Sequence, residues 1–207
     1  GACLMKKDTE LYDKIFKTAM ATAMATSALA VTAPDVSKAN TDEDVFKDVK
    51  TTSDYYEYVN ELFERGFVSG YPDGSYKPNG LLTRAHAAKI LALNLGLDVT
   101  TDYQISFSDV SKDDWYYPYI AALRENGIID GFEDGTFRPN TPITRNQMAK
   151  ILVNGYGLQP TSTITLPFED ISSSHWAAPY IQTLFDLGVT IGQTDTSYGG
   201  GDTVTRA

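Results

Sequence analysis

A repeat of 61 residues restricts the possible folds of this chain more than any other feature. From residue 45 onward, identical residue types recur twice more at this interval, with no insertion or deletion between the three copies. Such a fixed period indicates one supersecondary unit in tandem, whose copies bury their apolar faces against one another. Seven triplets carry the repeat: Phe46, Phe107 and Phe168; Asp48, Asp109 and Asp170; Gly66, Gly127 and Gly188; Gly70, Gly131 and Gly192; Asp73, Asp134 and Asp195; Thr83, Thr144 and Thr205; Arg84, Arg145 and Arg206.

Each copy, called repeat 1, 2 or 3 below, begins with an amphipathic helix. In repeat 2, Tyr116, Tyr119, Ile120 and Leu123 follow the i, i+3, i+4, i+7 spacing of one apolar helix face. Gly127 follows where a left-handed residue commonly ends a helix. The aspartates that precede these helices are predicted to cap them: Asp48, Asp109 and Asp170.

A turn and a second helix complete the copy. An Asp-Gly turn lies between aromatic residues at 71–76 and at 132–137. Thr144 and Gln147 have capping-box spacing, so second helices are predicted to begin at Thr83 and Thr144. The bodies of these helices are apolar on nearly all sides, which is typical of buried helices. We therefore expect the second helices to meet at the centre of the molecule, with the first helices and the loops outside.

Residues 1–39 have a different character. Lys6 and Lys7 precede an uncharged run at 19–33 that leads into small-x-small sites. This order predicts a signal peptide, with an amphipathic helix of the folded protein as the alternative. The uncharged run of about 15 residues is short for a membrane span, so no membrane association is expected after signal removal. Gly1 to Leu4 are interpreted as vector-derived residues or a misplaced start.

Three motifs recur in a fixed order: Phe-x-Asp before the first helix, Gly-x-x-Asp in the loop, and Thr-Arg at the second helix. Together they resemble the S-layer homology module, and His175-Trp176-Ala177 matches a tripeptide frequent in that family. The resemblance covers about residues 44 to 207. It implies three modules at 44–99, 105–160 and 166–207, the third incomplete because the sequence stops before its second helix.

The resemblance implies a mainly α fold, with three helix-loop-helix modules in a pseudo-threefold arrangement around a central helical bundle. It implies grooves between the modules that bind a secondary cell-wall polysaccharide, typically one that ends in pyruvylated N-acetylmannosamine. The chain would thereby anchor a secreted protein to the wall of a Gram-positive bacterium. No cofactor is implied, and a further C-terminal effector domain is expected in the full-length protein.

The ligand contacts that the resemblance implies are centred on the Thr-Arg motifs. Thr83 and Thr144 as N-caps put Arg84 and Arg145 at the first helical position, beside unpaired amide donors and the positive end of the helix dipole. A guanidinium there can hold a carboxylate, such as that of a pyruvyl ketal, through two parallel hydrogen bonds. Arg206 is the third equivalent. The alternative is that each arginine pairs with a nearby carboxylate and only stabilises the fold.

Other candidates for ligand contact have structural alternatives of equal weight. Trp115 and Trp176 can stack on a sugar face or fill the core. Gly70 and Gly131 can allow a ligand close to the backbone or serve as turn residues. The copies also differ: His86 and Gln147 stand where the family motif has Glu, repeat 1 has Asp54 where the others have Trp, and the repeat 3 loop lacks Asp-Gly and Pro-Asn.

The composition weighs against several functional classes. A net charge of −10 disfavours binding to nucleic acid. The single cysteine, Cys3, cannot form a disulfide within the chain, and the two histidines have no partner at metal-ligand spacing. Acidic residues that recur threefold suit repeated binding better than one asymmetric active site, so we expect no enzyme. The alternatives are a protein–protein assembly module of the surface layer and a wall hydrolase whose catalytic domain lies beyond Ala207.

Overall fold

The computed structural model describes residues 44–207, so the signal-peptide prediction lies outside the described residues. Within 44–207, regular secondary structure is helical and the strand-like pairings are isolated bridges. Repeats 1 and 2 each have a first and a second helix, and repeat 3 has a first helix, as the sequence predicts. The helices are α1 Tyr56–Glu64, α2 Arg84–Asn94, α3 Tyr117–Glu125, α4 Arg145–Gly155 and α5 Ala178–Asp186.

The first helices end at the glycines that the repeat pattern identified. Gly66, Gly127 and Gly188 have φ values of 73°, 69° and 69°, the left-handed conformation that ends a helix. After α1, the amide of Phe67 donates to the carbonyl of Leu62 at 2.9 Å, which satisfies an otherwise unpaired acceptor of the last turn.

The second helices begin as predicted. The Thr83 and Thr144 hydroxyls accept from the backbone amides of His86 and Gln147, and the Gln147 side chain returns a hydrogen bond to the Thr144 amide at 3.2 Å. The predicted capping box at α4 is therefore confirmed.

The prediction that aspartates cap the first helices is wrong. No side chain caps α1, α3 or α5. Asp48 instead accepts hydrogen bonds from the backbone amides of Tyr76 and Lys77 at 2.7 and 2.8 Å, 28 and 29 residues along the chain. Asp109 and Asp170 bind the equivalent amides in repeats 2 and 3. Each aspartate lies seven residues before the N-cap of its helix, whereas the turn presents two adjacent amide donors to one carboxylate.

These carboxylates hold a backbone conformation that is costly for most residues. Lys77 and Arg138 have φ values of 57° and 59°, and the equivalent residue of repeat 3 is Gly199 at 69°. Burial acts to raise the pKa of Asp48, but the amides of Tyr76 and Lys77 outweigh it, so the pKa lies below its ordinary value. The loop is therefore held by an ionised side chain at neutral pH.

The larger hydrophobic cores are shared by successive repeats. α2 of repeat 1 packs against α3 of repeat 2, and α4 of repeat 2 packs against α5 of repeat 3. Each packed helix pair therefore consists of the second helix of one repeat and the first helix of the next repeat. The first shared core includes Ala88, Leu91, Phe107, Ile120 and Leu123, and the second includes Ala149, Val153, Phe168, Ile181 and Leu184.

A ring of backbone hydrogen bonds joins the three repeats at the residue before each Thr-Arg motif. The amide of Leu82 donates to Val204, that of Val204 donates to Ile143, and that of Ile143 donates to Leu82, at 2.8, 2.9 and 2.9 Å. The three side chains form one buried cluster with Ala87, and Ile90, Met148 and Ile151 of the second helices pack against it. Both second helices thus contribute to this buried cluster.

One difference between the repeats has a packing explanation. In each copy the residue after the arginine donates its amide to a loop carbonyl of another copy: Ala85 to Pro139, Ala207 to Pro78, and Asn146 to Gly200. A Cβ atom at Gly200 would overlap the Asn146 side chain, whose Oδ1 is buried without a hydrogen-bond partner. Asparagine at 146 therefore requires glycine where the other copies have proline.

This pair can be tested by a double-mutant cycle on the full chain. We expect Gly200→Ala to destabilise the fold by about 1–3 kcal/mol through overpacking. We expect little of that loss when Asn146→Ala is also present, because the double variant resembles the Ala85–Pro139 pair. Urea unfolding followed by circular dichroism measures both; equal losses in the two backgrounds would contradict the packing explanation.

Candidate functional site

Each Thr-Arg arginine reaches from its own repeat to the loop of another. Arg84, Arg145 and Arg206 donate from Nε to the carbonyls of Phe137, Tyr198 and Tyr76 at 2.8, 3.0 and 2.9 Å. Each guanidinium also lies 4.3 to 4.5 Å from the ring centroid of the residue whose carbonyl it binds. This combination of one hydrogen bond and one cation–π contact is called the arginine clamp below.

The arginine clamp replaces the ion pairs considered as the structural alternative. Within residues 44–207, no carboxylate lies within 4 Å of any of the three guanidiniums. The stabilising role is real, but its acceptors are carbonyl oxygens and ring faces. Arg84 is only 8% exposed, and burial, followed by the charge of Arg138, lowers its pKa to about 10. It therefore stays charged at neutral pH.

The clamps leave different numbers of donors for a ligand. The Nη2 groups of Arg145 and Arg206 donate to the carbonyls of Ile191 and Ser69 at 2.7 and 3.0 Å. Neither terminal nitrogen of Arg84 has an acceptor among the residues that the structure describes, and the same holds for Nη1 of Arg206. These nitrogens are available to an anion.

Two grooves adjoin these arginines and have equivalent walls. The Arg84 groove, with a volume of about 710 Å³, lies between Arg84, the loop around Phe132, Lys150 of α4 and Trp176. The Arg206 groove, of about 290 Å³, lies between Arg206, the loop around Tyr71, Lys89 of α2 and Trp115. Each groove thus combines side chains from all three repeats, so neither exists in an isolated repeat.

The grooves differ in charge. The lining of the Arg84 groove has three cations, Arg84, Arg138 and Lys150, and three carboxylates, Asp130, Glu133 and Asp134. Lys150 is paired with Asp130 at 3.2 Å. The lining of the Arg206 groove has Arg206, Lys89 and His86 and no carboxylate. Ser69 and Pro72 occupy the positions equivalent to Asp130 and Glu133, and Asp73, the equivalent of Asp134, does not line the groove. Within residues 44–207, Lys89 has no ion-pair partner.

Among the described residues, neither of these two grooves is lined by the third arginine, Arg145. It adjoins a cleft of about 10 Å³. By the pattern of the other two grooves, the tryptophan beside Arg145 would come from repeat 1. Repeat 1 has Asp54 at that position, so it provides no aromatic side chain for a groove wall.

The tryptophans lie at the groove walls. Trp115 and Trp176 are 50% and 52% exposed, so the core-packing alternative is wrong for both. The Trp115 ring centroid lies 5.0 Å from that of His86 and 5.3 Å from that of Tyr116. An exposed indole held by neighbouring rings offers a flat apolar face to a ligand.

The two glycines and two threonines of the candidate set have intramolecular roles. A Cβ atom at Gly70 or Gly131 would overlap the ring of Phe46 or Phe107, so the phenylalanine beneath the loop requires glycine there. Both glycines also line their grooves. The Thr83 and Thr144 hydroxyls are used as helix caps, and neither residue lines a groove.

The residue-level prediction missed the lysines. Lys89 and Lys150 are 61 residues apart and are both followed by Ile, so the repeat itself contained the signal. Their position beside an arginine of another repeat had no signal in the sequence. In the described part of the chain, no cluster of three or more His, Cys, Asp or Glu side chains is suited to a metal ion. No helix between residues 44 and 207 has the length and apolar character that crossing a bilayer requires.

Comparison with known proteins identifies a family. The S-layer homology domain matches residues 45–88, 106–149 and 167–207. The S-layer protein sap of Bacillus anthracis is 34% identical over 201 residues, covering 96% of this chain and 24% of that protein. An uncharacterised cell wall amidase of the same species is 38% identical over 139 residues, or 66% of this chain and 26% of the amidase. A cellulosome-anchoring protein of Acetivibrio thermocellus is 32% identical over 169 residues, which cover 76% of this chain and 38% of that protein. The chain thus spans less than half the length of each relative.

The arginine clamp predicts a stability cost for its removal. We expect Arg84→Ala to lower the free energy of unfolding by about 1–3 kcal/mol, because the Phe137 carbonyl loses its donor in a buried setting. We expect Arg84→Lys to restore little, since an ammonium cannot reproduce the Nε bond and the planar ring contact together. Thermal unfolding of the full chain measures both. Lys89→Ala, which removes no hydrogen bond or ion pair within residues 44–207, is the control, and an unchanged Tm in Arg84→Ala would contradict the clamp.

The glycine requirement has a matched control in the same loop. Gly131 and Gly135 share a φ of 78°, but only Gly131 has a ring beneath it. Alanine at either site pays the same left-handed penalty of about 1–2 kcal/mol. We expect Gly131→Ala to cost about 1–3 kcal/mol more than Gly135→Ala, because it also displaces Phe107. Equal losses of unfolding free energy would show that conformation alone requires glycine at 131.

Proposed function

The chain belongs to the S-layer homology domain family, and from this premise we propose that it anchors a protein non-covalently to the bacterial cell wall by binding a wall polysaccharide. Its location is the cell surface, as for the S-layer and cellulosome-anchoring relatives. The observation that carries the proposal is the Arg206 groove, which combines uncompensated cations with a half-exposed indole. That combination suits an anionic sugar.

We propose that three modules, 44–99, 105–160 and 166–207, are arranged with pseudo-threefold symmetry around a central helical bundle. The ring of hydrogen bonds between Leu82, Ile143 and Val204 supports this arrangement, since each residue donates to one repeat and accepts from the other. The arginine clamps support it too, because all three run in the same direction around the ring. The anchoring grooves would be the spaces between the modules.

The proposed ligand end is a pyruvylated sugar. Its ketal carboxylate would accept hydrogen bonds from Arg206 Nη1 and from the Lys89 ammonium, which both lack an acceptor within residues 44–207. The sugar face would lie on Trp115, opposite the cations. Gly70 lines the groove as well, and it contributes backbone atoms alone to that wall. A compact carboxylate fits a groove of about 290 Å³ that the chain has not neutralised internally.

The Arg84 groove is proposed as the weaker anion site. Asp130 already neutralises Lys150, and Arg124 donates to the same carboxylate at 2.8 Å. An incoming carboxylate would have to compete with these pairs. The larger volume and Trp176 suit neutral sugar units of the same polysaccharide better than its charged end.

The proposal assigns no catalysis to the described repeats. One relative is a cell wall amidase, but the chain covers 26% of it. Catalysis in such a protein is compatible with a separate domain, and the anchoring role of the repeats would be the same. We propose that the anchored cargo is a further domain of the full-length polypeptide.

Calorimetric titration of the full chain with pyruvylated wall polysaccharide, and with the same glycan stripped of pyruvate, tests this function. We expect binding of the pyruvylated form and a loss of about tenfold or more without pyruvate, the size of one hydrogen bond to a charged group. We expect Lys89→Ala to weaken binding by a similar factor and Lys150→Ala to weaken it less.

The matched control is Lys112→Ala, which removes one exposed lysine outside both grooves and so changes the net charge equally. A larger loss for Lys150→Ala than for Lys89→Ala would overturn the choice of groove. Equal binding of both glycans would overturn the carboxylate mechanism. No binding of either glycan by folded chain would favour the protein–protein assembly alternative.

A further inference from the structure

His86 is a titratable group inside the Arg206 groove, at the third position of α2. Its imidazole lines the cavity together with Lys89 and Arg206. The equivalent residue of the Arg84 groove is Gln147, which cannot change charge near neutral pH. The two grooves therefore differ in whether they can gain a proton.

We propose that His86 is the third cation of the Arg206 groove, so that this groove takes up a proton when it binds an anionic glycan and binds it more tightly in mildly acidic solution. The inference rests on the proposed function, because it requires an anion in this groove. It adds to that function a dependence on pH that belongs to one groove alone.

The helix cap tolerates both charge states of the imidazole. His86 Nδ1 lies 2.7 Å from Thr83 Oγ1, which also accepts from the His86 backbone amide at 3.3 Å. In the neutral ring, Nδ1 accepts the hydroxyl proton in one tautomer and donates to the same oxygen in the other, and in the charged ring Nδ1–H donates to that oxygen. Protonation therefore keeps α2 capped, and it makes both ring nitrogens donors.

The surroundings of His86 disfavour its protonated form when no anion is bound. Burial, then the charges of Arg206 and Lys89, lower its pKa below the ordinary value. The loop contributes the phenol rings of Tyr71 and Tyr76, and repeat 2 contributes the indole ring of Trp115. The carboxylate closest to that ring in sequence, Asp114, accepts from the Ser111 amide and does not line the groove.

A bound carboxylate reverses this balance. It places a negative charge among three potential cations, which favours the protonated imidazole and raises its pKa in the complex. Between the free and bound pKa values, binding takes up a proton, so affinity rises as the pH falls through that interval. The ligand itself contributes no titration there, because a carboxyl of this type is ionised above about pH 5.

The first experiment needs no glycan. Trp176→Phe leaves Trp115 as the single indole, 5.0 Å from the His86 ring centroid. We expect Trp115 fluorescence to change with a midpoint below about pH 6.5, the ordinary histidine value, and the change to disappear when His86→Gln is added. Since glutamine is the natural cap at the equivalent position of α4, this variant keeps the helix start intact. No transition, or the same transition in both proteins, overturns the proposal.

The second experiment measures binding of the pyruvylated polysaccharide to the full chain at pH 7.5 and 5.5. We expect roughly tenfold tighter binding at pH 5.5, with fractional proton uptake seen as a dependence of the calorimetric enthalpy on buffer ionisation. In His86→Gln the ratio of the two affinities should fall to near one, whatever its absolute affinity. Equal ratios in both proteins overturn the inference and leave anchoring intact, whereas absence of binding at both pH values overturns the proposed function and this inference with it.

Discussion

The arginine clamp connects each repeat to a loop that belongs to another repeat, and the other contacts between repeats accompany this connection. Arg206 reaches a carbonyl 130 residues away, which joins the last repeat to the first. The same segments form the ring between Leu82, Ile143 and Val204. The two larger hydrophobic cores are also shared between neighbouring repeats, and Ala207 of repeat 3 packs against the smaller core of repeat 1. The three copies consequently depend on one another for their stability.

The grooves result from the same contacts between repeats. A first helix packs on the second helix of the preceding repeat, and this brings its tryptophan opposite a loop held by an arginine from elsewhere. The loop is rigid for reasons internal to its repeat: an aspartate binds two of its amides, and a phenylalanine fills the space beneath its glycine. Because these contacts already order the loop, the protein loses less conformational entropy when a ligand binds.

Near-identical backbones carry different chemistry in the two grooves. Replacement of Ser69 by Asp130 neutralises the neighbouring lysine, and replacement of His86 by Gln147 removes a titratable group. All four of these residues line their grooves. Tandem repetition thus allows one scaffold to hold two sites whose charge and response to pH are adjusted independently, while Asp54 and the altered third loop leave Arg145 without a groove.

The sequence by itself determined the elements with local causes: the period, the helix boundaries, the glycine ends, the Thr caps and the capping box at Gln147. It also identified the family through its motifs. Only the tertiary structure decided the partners: which loop each arginine clamps, which amides Asp48 binds, and why Gly70 is required. The physical reason is that a threefold repeat presents every motif in three equivalent copies. The periodicity determines the local structure around each residue. It carries no information on which copy a residue contacts across an interface, because the packing of the three copies decides that contact.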